Sequence, residues 1–162
     1  MKKTDEFRSA VFGADGSLQL PTDQGARKQL ALDLLGACIV GAIDSVVEDS
    51  QGLVDGRFTA QEKYGSVFDR ERPFVEGLAG LSTEQKSLVN QLLAKCAYDS
   101  LYWVLVKLTD FYAPEAYLDA KVARCDEDGE HEEILADLVD EDFFHYFHDW
   151  VEKFCETGKS NA

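Results

Sequence analysis

The sequence predicts an all-α fold, a single-domain helical bundle of about five to seven helices over residues 1–162. Apolar residues recur at helical spacing in long stretches near 24–49, 82–112 and 131–156. Capping residues and stop signals bracket those stretches. Hydrophobic residues make up 45% of the chain, including ten Phe, six Tyr and two Trp, which supplies a real core and argues against intrinsic disorder despite the heavy charge.

Residues 1–22 read as a lead-in without an apolar run. Within it VFGADGSLQLPTD is rich in turn signals and can form a short hairpin over 11–20 or only irregular chain. Thr22 or Asp23 caps a long helix reaching about Asp49, with Gly52 as its stop. Cys38 lies in the ten-residue apolar stretch 34–43, which is too short to cross a bilayer and reads as buried helix. Gly36, Ala37, Cys38, Gly41 and Ala42 are small enough to let a neighbouring helix come close. Thr59 to Glu62 resembles a capping box for a short helix that Pro73 stops, with Gly77 and Gly80 loosening the link that follows.

Ser82 and Gln85 then open a helix running to about Tyr112. One of its faces carries Leu88, Leu92, Cys96, Trp103 and Val106, and apolar groups encircle the axis from Cys96 to Val106. That is the pattern of a central helix covered on several sides. After Pro114 the segment 113–125 can form a short helix. Two further helices are expected, at 131–139 and at 141–156, with Asp140 capping the second. In the last, Phe143, Tyr146, Phe147, Trp150, Val151 and Phe154 form the inward stripe. Residues 157–162 read as a disordered tail.

The charge is negative and unevenly placed. Residues 1–80 carry nine basic and thirteen acidic side chains; residues 81–162 carry seven and eighteen, within a total of −15. Such a field disfavours direct binding to nucleic acid or to an anionic membrane and favours basic partners. The four cysteines, at 38, 96, 125 and 155, have no C-x-x-C spacing, and no export signal precedes them. Reduced thiols in a cytoplasm are expected.

The densest feature is DEDGEHEEILADLVDEDFFHYFHDW at 126–150. An EF-hand loop with Gly129 at its sixth position would place Arg124 first and Leu135 last, so both ends fail as calcium ligands. A transition-metal site could use His145 and His148 with nearby carboxylates. On a helix, however, Glu141, His145, His148 and Glu152 lie opposite the aromatic stripe and should face water. No Ser or Cys sits in a nucleophile motif, and no phosphate-cradling glycine pattern occurs. Of the isolated acids, only a buried one would stand out, and Asp44 and Asp99 are the two that adjoin apolar helix segments.

What remains is a protein-binding reading, without cofactor: a stoichiometric inhibitor, like an immunity protein or antitoxin, that masks a basic surface of its partner. Asp126, Glu127, Asp128, Glu130, Glu132, Glu133, Asp137, Asp140, Glu141 and Asp142 would supply attraction, and Phe144 and Tyr112 the apolar anchors. The alternatives are a metal-dependent enzyme using His145 and His148, and a homo-oligomeric structural or regulatory protein with residues 36–42 as its seam.

Overall fold

The computed structural model describes residues 2–12, 17–57, 72–109, 112–113, 116–117, 121–125, 132–138 and 142–156. Among these, five helices carry the core, so the all-α prediction holds for what packs the molecule: α1 (Lys3–Val11), α2 (Gln24–Asp55), α3 (Arg72–Ala79), α4 (Thr83–Thr109) and α5 (Phe143–Phe154). Between α4 and α5 lie two short antiparallel hairpins, β1 (Tyr112–Ala113) with β2 (Ala116–Tyr117), and β3 (Lys121–Cys125) with β4 (Glu132–Asp137). Every buried apolar side chain among the described residues belongs to a helix except Leu138 and Cys155. The helix expected from Thr59 and the tail 157–162 lie outside the described residues.

The chain forms two compact units, residues 1–42 with 101–162 and residues 43–100. In the first, α5 carries out its predicted role. Phe143, Phe147, Trp150 and Phe154 recur at three- and four-residue spacing and are all buried. The indole of Trp150 lies directly on Gly36 of α2. A Cβ there would fall 2.6 Å from Trp150 Cδ2 and closer still to Cγ and Cδ1, so only glycine admits this contact. Phe154 meets Phe7 of α1 edge-on at 5.0 Å. Lys153 closes the arrangement, its Nζ 2.7 Å from Asp33 Oδ2 and 5.6 Å from the Phe7 ring centre. The Lys3 ammonium donates to the Cys155 carbonyl at 2.8 Å, and the Lys3 backbone N–H donates to the Glu156 carboxylate.

In the second unit, the end of α2 is set by a C-terminal motif one turn later than predicted. Gly52 is buried inside the helix, and Gly56 takes the left-handed conformation at φ 73°. The Gly56 N–H bonds the Leu53 carbonyl at 3.2 Å and the Arg57 N–H bonds the Gly52 carbonyl at 2.9 Å, the paired bonds that close a helix through a left-handed glycine. Asn90 Nδ2 of α4 donates to Asp55 Oδ1 at 2.9 Å.

Several expectations are corrected. Residues 3–11 are helix and not irregular lead-in; an Asp5–Glu6 first turn suits the positive end of the helix dipole, and Phe7 gives the helix something to bury. The 11–20 hairpin is present as a single bridge, Phe12 to Leu18, with the Gln19 N–H bonded to the Val11 carbonyl at 2.9 Å. Pro73 sits in the first turn of α3, where a residue needs no N–H partner, and the helix it was expected to stop lies outside the described residues. The described residues of 113–125 and 131–139 are strands, apart from Leu138 just after β4. A nine-residue helix is marginal by itself, whereas β3 pairs with β4 at five positions, with one irregularity between Val122 and Ala123. The register also sets Lys121 opposite Asp137 and Arg124 opposite Glu133, residue types of opposite charge at paired positions.

The largest correction concerns α4. Of its apolar residues only Leu105 is fully buried, while Leu88, Leu92, Cys96, Trp103 and Val104 are exposed. Apolar groups all around an axis do not determine which side is packed. Cys38 of α2 is likewise exposed and is, with Cys96, a free thiol. The whole of α2, unlike its ten-residue apolar stretch, is long and apolar enough to cross a bilayer, with an 18-residue window of mean hydropathy 2.0. In this fold its Asp33 and Asp44 are engaged by Lys153 and Tyr98, and its Gly36 seats an indole.

Two glycines give opposite tests of this packing. Gly36→Ala is expected to lower stability by about 1–3 kcal/mol through overpacking against Trp150. At Gly77 an added methyl would meet no atom within 4 Å, so Gly77→Ala should raise stability by about 0.4–1 kcal/mol. Urea denaturation midpoints of the two variants against wild type decide it.

Candidate functional site

The aromatic face of α5 dictates where its polar face goes. With Phe143, Phe147, Trp150 and Phe154 inward, Asp142, His145, His148, Asp149 and Glu152 are all exposed. Asp142 is the N-terminal capping residue, the position that the sequence pattern assigned to Asp140. Its carbonyl accepts the His145 N–H at 2.9 Å, but its side chain makes no capping hydrogen bond. His145 Nδ1 stands 3.9 Å from Asp142 Oδ2, too far for a hydrogen bond and an ion pair only when the imidazole is protonated. His148 packs its ring at 5.7 Å from Tyr102 of α4. The two imidazoles are on the solvent side, as the helical wheel required. Among the described residues no three His, Cys, Asp or Glu side chains come together as a metal site.

Of the residues assigned to partner binding, Asp126, Glu127, Asp128, Glu130, Asp140 and Glu141 lie outside the described residues. Glu132, Glu133 and Asp137 are placed only as positions of β4, and Tyr112 only as the first residue of β1. Asp142 is exposed at the mouth of α5. Phe144 is half-buried, with its ring 6.4 Å from Tyr102 in an edge-on arrangement and 4.0 Å from His145. These ring contacts are thus with its own helix and with α4 of its own chain.

The two isolated acids separate clearly. Asp44 is 4% exposed and accepts a hydrogen bond of 2.6 Å from the Tyr98 hydroxyl. Asp99 is exposed and pairs with Lys95 one turn earlier at 2.7 Å. That pairing raises the Lys95 pKa through the side-chain hydrogen bond to Asp99 first and its charge second. Asp44 is a structural acid held by a phenol, and Asp99 belongs to a surface pair.

The surface that periodicity missed is on α4. Leu88 is 65% exposed, Leu92 61% and Trp103 60%, and with Cys96 they follow one another along a single helix face. Large apolar groups in a row on a surface mark an interaction site more often than scattered ones do. The signal is present in the sequence as a face interrupted by Lys95 and Asp99, which a fully covered helix would not carry.

No protein-family model matches this chain, and neither a curated protein nor a solved structure is similar enough to count as a match.

Substitution separates structural from surface groups here. Tyr98→Phe should cost about 1–3 kcal/mol by depriving buried Asp44 of a donor. His145→Ala and His148→Ala should each stay within about 0.5 kcal/mol of wild type, as exposed residues do. Thermal and urea unfolding check all three.

Proposed function

We propose that this chain is a non-catalytic protein-binding module, and in its most concrete form a stoichiometric inhibitor, resembling an immunity protein or antitoxin in manner of action, that masks a basic surface of a partner protein. The observation that carries the reading is the outward face of α5. The acidic run from Asp126 to Asp142 is followed, after six residues without an acid, by Asp149 and Glu152 on the exposed side of a helix whose opposite side is committed to the core. An aromatic stripe anchored in this way holds the carboxylates toward solvent and cannot turn to hide them. Electrostatic attraction from a chain of net charge −15 then speeds encounter with a cationic surface and disfavours acidic competitors.

The same charge argues against direct nucleic-acid or membrane partners. Exposed thiols at Cys38 and Cys96 suit a reducing compartment such as the cytoplasm, and no cofactor enters the proposal. Glu133 and Asp137 face basic residues in the β3–β4 register.

Affinity capture with the wild-type chain, beside a variant carrying amides at Asp126, Glu127, Asp128, Glu130, Glu132 and Glu133, tests the reading. Wild type should retain a basic protein at low salt and release it as salt rises, with association about tenfold slower or more for the variant. The same bound proteins at the same salt for both chains would defeat the proposal.

A further inference from the structure

We infer that α1 is a strap, fastened by Lys3 across the C-terminal end of α5, that opens as a unit while the rest of the fold stays packed. All of its parts belong to the first compact unit.

The helix α1 buries none of its own residues. The residues it touches at the end of α5 are covered: Phe154 is 1% exposed and Cys155 2%. Phe7 meets Phe154 edge-on. The Thr4 methyl lies over Gly41 of α2, 3.5 Å from where a Cβ there would stand. The Lys3 backbone N–H donates to the Glu156 carboxylate. The Lys3 side chain answers a need of α5. The last carbonyls of a helix have no partner within it, and neither Cys155 nor Glu156, which follow α5, is a glycine that could make the left-handed closure used by α2. The Lys3 ammonium supplies the missing donors, reaching the Cys155 carbonyl at 2.8 Å and the Glu152 carbonyl at 3.3 Å. It also sets a positive charge at the negative end of the helix dipole.

A helix held at a few points, with nothing of its own buried, comes away more cheaply than the fold unfolds. Nine residues are barely stable as an isolated helix, so α1 is lost or kept as a whole. The helix α5 has a further hold, Trp150 seated on Gly36 of α2, which the opening of α1 leaves intact. Opening therefore bares the last carbonyls of α5, the Phe154 ring and Cys155 together, and the strap sets when that thiol meets solvent.

Cys155 reports the motion. With Cys38, Cys96 and Cys125 replaced by serine, alkylation of Cys155 by iodoacetamide should be slow in the folded protein. It should be nearly indifferent to low urea, because releasing a nine-residue segment exposes little surface, and should steepen only as the whole chain unfolds. Lys3→Ala and Phe7→Ala should each speed the low-urea reaction about tenfold or more, and Lys3→Arg, which keeps the charge, should speed it least. Hydrogen exchange of the wild-type chain, resolved by segment, should show the amides of α1 exchanging together and ahead of those of α5. Alkylation that tracks global unfolding at every urea concentration, or that neither alanine variant accelerates, overturns the inference. Exchange of α1 and α5 at one common rate does so as well. Should the serine-substituted chain fail to fold, hydrogen exchange of the wild type decides the matter alone.

Discussion

The seat of Trp150 on Gly36 is the constraint from which the rest of the first unit follows. An indole brought this close to a helix backbone fixes the rotation of α5 about its axis. That rotation then assigns every other side chain of the helix. Phe147 and Phe154 are carried inward, Phe154 reaching the ring of Phe7, while Asp142, His145, Asp149 and Glu152 are carried outward. Lys153, at the border, is pulled onto Asp33 and over two aromatic rings, so the one lysine of α5 is used in holding the helix down. The chemistry available on the surface of α5 is thus settled by packing on its other side.

The molecule handles its two kinds of surface differently. Negative charge is concentrated in and after the β3–β4 region, where the strand register already sets two acids against Lys121 and Arg124. Large apolar groups are exposed instead on α4, the long helix with no excess of acid. Carboxylates beside an apolar contact would have to be desolvated when it closed, and the cost of burying unpaired charge exceeds what a few leucines return.

Much of this is legible in the sequence where a local rule decides the outcome. Asp23 caps α2 through its Oδ1 to the Ala26 N–H at 2.8 Å, and Ser82 with Gln85 makes the reciprocal box, at 2.8 and 3.2 Å, that opens α4. The aromatic stripe of α5 and the exposure of both its histidines follow from a helical wheel alone. What local rules miss depends on partners remote in sequence. β4 is a strand because Lys121–Cys125 is available to pair with it, although its own composition would also suit a helix. Gly52 reads as a stop, but the turn forms at Gly56, where the chain can adopt positive φ with Arg57 in place to close the motif. On α4 the apolar residues surround the axis, so periodicity does not distinguish a covered face from an open one. Lys95 and Asp99 on that face are the clue that does. Of the candidate site, the run's outward direction at α5 is readable, while the placement of its first acids is not.

The inward rotation of α5 is tested most directly by the fluorescence of Trp150. The chain has two tryptophans, so a Trp103→Phe variant excited at the red edge of the indole band leaves Trp150, only 2% exposed, as the sole tryptophan observed. Its native emission should be blue-shifted and resist quenching by acrylamide until the protein unfolds. Red-shifted emission quenched as freely in the folded protein as in denaturant would mean that the rings of α5 do not face the core, and the outward acidic face would go with them.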